Sequence, residues 1–138
     1  MAELAGQLGY PCTPQQIEKH LAGMQDARQY AVYVAELANG QVAGWIGTYV
    51  HRSVELDSFA EINGLVVDDK VRSRGVGKLL LEAAERWARS CGCDTIGVRS
   101  KVERHDAHRF YEKNRYGWTK TQKSFHKALT ARGPDARR

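Results

Sequence analysis

Between residues 76 and 91 the apolar side chains fall at Val76, Leu79, Leu80, Ala83, Ala84, Trp87, Ala88 and Cys91. This i, i+3, i+4, i+7 spacing is one face of an α-helix. Glu82 with Arg86 and Glu85 with Arg89 make i, i+4 pairs on the outer face, and Gly92 supplies a stop. The helix is flanked by two β-rich runs, 59–67 before it and 95–100 after it. A strand, a helix and a strand joined by tight connections require a parallel crossover with the helix packed on the sheet. The chain is therefore constrained to an α/β fold.

The remaining elements fill in around that unit. Residues 3–8 read as a short helix ended by Gly9 and Pro11. Thr13-Pro14-Gln15-Gln16 is a capping box with Pro at the first helical position, opening a helix to about Met24. Residues 30–37 and 42–50 are predicted as a hairpin around Asn39-Gly40, a pair suited to a type I′ turn. Asn63-Gly64 interrupts the 59–67 strand and marks a bulge or a close backbone approach. A second helix spans 105–114, and two short strands are expected near 116–121 and 124–129. The sum is a single-domain mixed sheet of about six strands with helices on both faces. Residues 1–129 form the domain and residues 130–138, with Gly133-Pro134 and three arginines, a disordered basic tail.

No apolar run approaches the roughly 20 residues of a membrane span, and residues 1–10 lack the pattern of a secretory signal. A cytoplasmic protein without membrane contact is expected. Cys12, Cys91 and Cys93 fit neither a disulfide scaffold nor a zinc site, so they are expected as free thiols, and no metal is expected. Residues 1–69 carry net charge −6 and residues 70–138 net +11. A basic half calls for a polyanionic partner, either nucleic acid or a phosphorylated cofactor, while an acidic half can receive a cation.

The sharpest chemical signal is Arg72-Ser73-Arg74-Gly75-Val76-Gly77-Lys78 at the entry to the long helix. A Gly-rich turn feeding a helix leaves backbone N–H groups aimed outward at the positive end of the helix dipole. Arg72, Arg74 and Lys78 add positive charge, so a diphosphate fits. A Walker A loop would need Gly where Arg72 stands and Ser or Thr where Leu79 stands; a dinucleotide fingerprint would need Gly at Leu80. Both are disfavoured.

Arg-x-x-Gly-x-Gly after a Val-rich strand and before an amphipathic helix resembles the acetyl-CoA pyrophosphate loop of the GNAT superfamily. Arg104-x-x-Ala107-x-x-Phe110-Tyr111 looks like that family's second coenzyme-binding helix, and Ala43-Gly44-Trp45 resembles its third strand. The resemblance covers roughly residues 7–129. It implies a GNAT-like sheet with a splayed parallel strand pair, and a chain that starts where the family's first helix is under way, without the usual first strand. An exposed edge would follow, and a homodimer is one way to cover it. The resemblance assigns Leu65, Val66 and Val67 to the strand that pairs with pantetheine. It places Arg72, Ser73, Arg74, Gly75, Val76, Gly77 and Lys78 on the pyrophosphate, with Arg104, Ala107 and Tyr111 on the second coenzyme-binding helix. The Asn63-Gly64 interruption falls where the family commonly has a bulge.

The implied activity is acetyl transfer from acetyl-CoA to a primary amine, by direct attack in a ternary complex. That needs a neutral amine, a stabilised oxyanion and a proton for the thiolate. Tyr111 matches the family's general acid, and Glu61 resembles a carboxylate some members use as base. A backbone N–H near Leu65 or Val66 would polarise the carbonyl. The alternation of Ala60 and Ile62 against Glu61 equally suits a surface glutamate, with Glu55 and Asp57 as other acidic candidates. His105 and His108 read as helix-surface residues. Two rival readings stand beside this one, a non-catalytic acyl-CoA-binding module and a nucleic-acid-binding protein using its basic half. The acceptor, whether a small amine or a protein amine, is not legible. Arg115 occupies the position where the family often has Gly after the Tyr helix.

Overall fold

Four strands and three α-helices follow the order α1 (Pro14–Ala22), β1 (Tyr30–Glu36), β2 (Val42–His51), β3 (Phe59–Val67), α2 (Val76–Ser90), β4 (Ile96–Val98) and α3 (His105–Lys113). They come from a computed structural model, which describes residues 13–24, 26, 28–72, 74–99 and 105–130. The expected helix at 3–8, Cys12 and all but the first residue of the predicted tail lie outside the described residues. The chain packs as two units, Met1–Arg99 and Ser100–Arg138.

In the first unit the strands form one mixed sheet in the order β1-β2-β3-β4, with β1 antiparallel to β2, β2 antiparallel to β3, and β3 parallel to β4. The parallel pair is the crossover demanded by the helical stripe. α2 packs across β1, β2 and β3, and Leu80, Leu81, Ala84, Trp87 and Ala88 are its buried positions. One cluster beneath it joins Val50, Ala60, Trp87, Ala88 and Cys93, with Ala31, Tyr33, Cys91 and Ile96 against its margin. Cys91 and Cys93 are free thiols. α1 begins with the expected capping box: Gln16 N–H donates to Thr13 Oγ1 at 3.1 Å, and Thr13 N–H donates to Gln16 Oε1 at 2.8 Å. It buries none of its residues. No helix among the described residues is long and apolar enough to cross a membrane.

The hairpin forms, with a different turn from the one predicted. Gly40 N–H donates to Leu37 O and Leu37 N–H to Gln41 O. Gly40 takes φ +85° while Asn39 keeps a negative φ, so the turn is not type I′ but a longer loop with a single left-handed glycine and a register shift at Ala35/Glu36. Gln41 N–H donates to Asn39 Oδ1 at 2.9 Å, which fixes Asn39 in that role.

The interruption in β3 is a bulge. Gly47 faces Gly64 and the next residue, Thr48, faces Ile62, so Asn63 has no partner. The Thr48 hydroxyl, fully enclosed, donates to Glu61 O at 2.9 Å across the same point and satisfies a carbonyl the disturbed ladder would otherwise strand.

In the second unit the strands expected near 116–121 and 124–129 are absent: residues 116–129 carry no strand. Trp118, Phe125 and Leu129 are exposed there. A strand exists only through a partner, and Gln122-Lys123 lacks the glycine or asparagine that would turn these two runs into a hairpin.

α2 and α3 end in the same way. Cys93 N–H donates to Ala88 O and Gly92 N–H to Arg89 O after α2; Tyr116 N–H donates to Tyr111 O and Arg115 N–H to Glu112 O after α3. Each is a Schellman motif, which requires a left-handed residue. Gly92 supplies it at φ +82°, whereas after α3 Arg115 is forced to φ +71°. This is the physical reason for a glycine at that place. Arg115→Gly is expected to raise stability by about 1 kcal/mol, measured by urea unfolding of the full chain. By contrast, a Cβ at Gly44 would lie 2.7 Å from Val66 O and 3.2 Å from Leu80 Cδ1. Gly44→Ala is therefore expected to cost about 1–3 kcal/mol in the same assay.

Candidate coenzyme and amine site

The loop after β3 is held by main-chain and carboxylate contacts. Asp68 N–H donates to Ala43 O at 2.7 Å, and the Asp68 carboxylate accepts from Lys70 N–H at 3.0 Å, starting a 3-10 turn at Asp69–Val71. Val71 is buried as the anchor. Arg72 donates from Nε to Val67 O at 3.3 Å and pairs through Nη1 with Asp69 Oδ1 at 2.7 Å. Arg72 therefore ties the turn back onto the end of β3, in addition to bringing charge.

Gly75 caps α2 at φ 80°, ψ 6°. A Cβ there would touch nothing within 4 Å, so the glycine answers to conformation and the approach to it is open. It offers no side-chain acceptor to the first helical turn, formed by Val76, Gly77 and Lys78. Arg74 and Lys78 are exposed on either side. Donors, dipole and cations thus converge on an open surface, which suits a diphosphate. Ser73 lies outside the described residues.

β4 pairs with β3 only at Ala60, Glu61 and Ile62. From Asn63 to Val67, β3 has β2 on one side and, among the described residues, no strand on the other. That free edge contains Leu65, Val66 and Val67, and a ligand carrying amides can pair with it as a strand would. The splayed parallel pair of the sequence reading is thus present.

On the sheet face away from α2, a row of directly paired residues crosses four strands: Tyr30 opposite Tyr49, Tyr49 opposite Glu61, Glu61 opposite Gly97. Glu61 is 7% exposed, so the surface-glutamate alternative does not hold. Its carboxylate pairs through Oε1 with Arg99 Nε at 3.0 Å and shares a hydrogen bond with the Tyr49 phenol. Burial, then the neighbouring Glu61 charge, pushes the Tyr49 phenol above its ordinary range. Tyr49 thus stays a neutral donor; its contribution to stability is complete below pH ~10 and is lost as pH rises through the raised value. Glu55 and Asp57 are exposed in the β2–β3 connection.

The bulge carries this face onward. Beyond Asn63, Gly64 and Val66 lie opposite Gly47 and Trp45. The Trp45 ring occupies the space a Cβ on Gly64 would need, at 2.8 Å, and its indole N–H is buried without a hydrogen-bond partner.

In the second unit, Tyr111 is half-buried on α3, 5.3 Å from Phe110 and 5.7 Å from Tyr116 by ring centroids. Ala107 lies one turn earlier on the same helix, also half-buried. His105 is exposed, and stands 5.8 Å from His108 edge to face. Arg104 lies outside the described residues.

Tyr49 and Arg99 escaped the sequence reading, and Trp45 entered it only as part of a strand that resembles the family's third. Period two along β2 places Trp45, Gly47 and Tyr49 on one face, and a charged Arg99 beyond an otherwise apolar β4 is unusual. That signal was legible, but the register that brings them to Glu61 was not.

The profile of the Acetyltransferase (GNAT) family matches residues 6–117. Among curated proteins, the chain is 33% identical over 97 residues to an uncharacterized N-acetyltransferase, YhdJ, of Bacillus subtilis, covering 69% of this chain and 68% of that one. It is 35% identical over 98 residues to the aminoalkylphosphonate N-acetyltransferase of Salmonella typhimurium, covering 70% of this chain and 62% of that one. It therefore spans about two thirds of the length of these relatives. Among solved structures, AAC(6')-Iy in complex with a CoA bisubstrate analog superposes with a TM-score of 0.79 at 22% identity, covering 92% of this chain and 88% of that one. Motif, splayed sheet and family profile agree, and the chain belongs to the GNAT acetyltransferase family of acyltransferases.

Proposed function

We propose that this protein transfers the acetyl group of acetyl-CoA to a primary amine by direct attack in a ternary complex. The observation that carries the reading is the pairing of an open, left-handed Gly75 at the α2 N-terminus with a β3 edge unpartnered beyond Ile62 among the described residues. The first suits a pyrophosphate and the second an extended chain of amides. Relatives named for aminoalkylphosphonate and aminoglycoside acetylation have amine acceptors in common, and an amine is the acceptor we assign here.

In this reading Val76, Gly77 and Lys78 N–H groups hold the pyrophosphate, with Arg74 and Lys78 adding charge and Arg72 holding the loop. Ser73, Arg104 and Ala107 are assigned to the coenzyme from their places in the two motifs. Leu65, Val66 and Val67 hold the pantetheine, and an N–H near Leu65 or Val66 polarises the thioester carbonyl. Glu61 takes a proton from the ammonium, directly or through water. The amine nitrogen bonds to the carbonyl carbon, the carbon–sulfur bond breaks, Tyr111 is assigned the proton for the departing thiolate, and the second proton of the nitrogen returns through water to the Tyr111 phenolate.

Arg74→Glu with Lys78→Glu changes two exposed side chains and is expected to weaken acetyl-CoA binding at least ~10-fold in calorimetric titration, about 1.4 kcal/mol. Unchanged affinity in a folded variant would contradict the loop assignment. Glu61→Gln is expected to lower the turnover number by ~10²–10⁴-fold while acetyl-CoA affinity stays within about twofold. A folded protein that binds acetyl-CoA and acetylates amines equally well with or without Glu61 would remove that residue from the mechanism.

A further inference from the structure

Glu61 is a buried carboxylate with an exposed cation attached, and the pair is asymmetric. Arg99 meets Glu61 through Nε at 3.0 Å on a side chain 75% exposed, so its guanidinium stands at the surface beyond that contact. A guanidinium fork of that kind matches a carboxylate, phosphonate or sulfonate with two parallel hydrogen bonds. Arg99 directly follows Val98, the last β4 residue paired to β3, so it stands at the point where the two strands part. Next to it, on the same face, Gly97 lies opposite Glu61 with nothing within 4 Å of where its Cβ would be. The floor beside the carboxylate is therefore clear, walled on the other side by Tyr49.

We propose that Arg99 selects the acceptor: the site takes a short amine that carries an anionic group, its ammonium toward Glu61 and its anion on the Arg99 fork. The inference rests on the acetyltransferase reading and on Glu61 as the amine's partner. Charge arithmetic decides against a polycation. A diamine placed with one ammonium at Glu61 brings its second positive charge toward Arg99, whereas a zwitterion is complementary at both ends. Tyr49, donating to Glu61 and kept neutral, leaves that carboxylate the one negative group of the row. Trp45 and Tyr30 add no charge.

Three amines of matched length separate the charge of the tail from its size: β-alanine, propylamine and trimethylenediamine. With acetyl-CoA saturating, the expected order of kcat/KM is β-alanine first and trimethylenediamine last, with at least ~10-fold between β-alanine and propylamine. Arg99→Gln keeps a hydrogen-bond donor for Glu61 and removes the charge, and is expected to reduce that ratio by ~10-fold, chiefly through KM for β-alanine. Arg99→Lys keeps the ion pair and the fold while removing the fork, and is expected to lower the ratio several-fold. A ratio unchanged in Arg99→Gln, or a wild-type preference for the diamine, overturns the proposal. So does a protein that binds acetyl-CoA and turns over none of the three. Failure to bind acetyl-CoA instead removes the acetyltransferase reading itself. A purely structural role for Arg99 would depress kcat for all three amines together and leave their ratios alone, which also overturns it.

Discussion

The extra residue at Asn63 governs the rest of the first unit. Without it, β3 would present Glu61, Asn63 and Leu65 to one face in simple alternation. With it, Glu61, Gly64 and Val66 share that face, opposite Tyr49, Gly47 and Trp45. The same residue follows Ile62, the last position paired to β4. One local irregularity thus sets both which side chains stand beside Glu61 and where the strand edge becomes free. Its cost is a broken ladder, offset by the Thr48 hydroxyl on Glu61 O and by the indole of Trp45 filling the space over Gly64. Bulges near sites are used in this way, to re-aim side chains and to end pairing.

From that point the two binding features follow with little further machinery. Beyond Ile62, β3 has no second strand beside it among the described residues; it then turns at Asp68 and Asp69–Val71, and the chain enters α2 through a left-handed glycine. Among the described residues the strand edge has no neighbouring strand there, and the helix N-terminus no side-chain cap for its first N–H groups. A long ligand with amides at one end and phosphates at the other can complete both. The opposite face of the sheet is closed by α2, whose buried side chains supply the core.

Much of this was legible in the sequence. The stripe Val76–Cys91 fixed the crossover, Thr13 and Gln16 fixed the α1 cap, and Asn63-Gly64 marked the bulge, because each depends on residues adjacent along the chain. What failed depended on partners far away or on backbone signs. Asn39-Gly40 suited a type I′ turn, yet only Gly40 took positive φ. The runs after α3 had strand composition and found no strand partner among the described residues. Glu61 looked as much like surface as like site, since its burial is supplied by Tyr49 across one strand and Arg99 across another, and register is set by the bulge and not by composition. Arg115 was noticed as an odd residue; its left-handed φ explains why glycine suits that place.

The β3 edge from Asn63 to Val67, where β4 no longer pairs, is the stretch we assign to the coenzyme. Amide hydrogen exchange measured with and without saturating acetyl-CoA tests it directly. Slowed exchange is expected at residues 64–67 and at the first turn of α2, residues 76–78, with little change in β1. Saturable acetyl-CoA binding with protection confined to other segments, and none along 64–67, would contradict it.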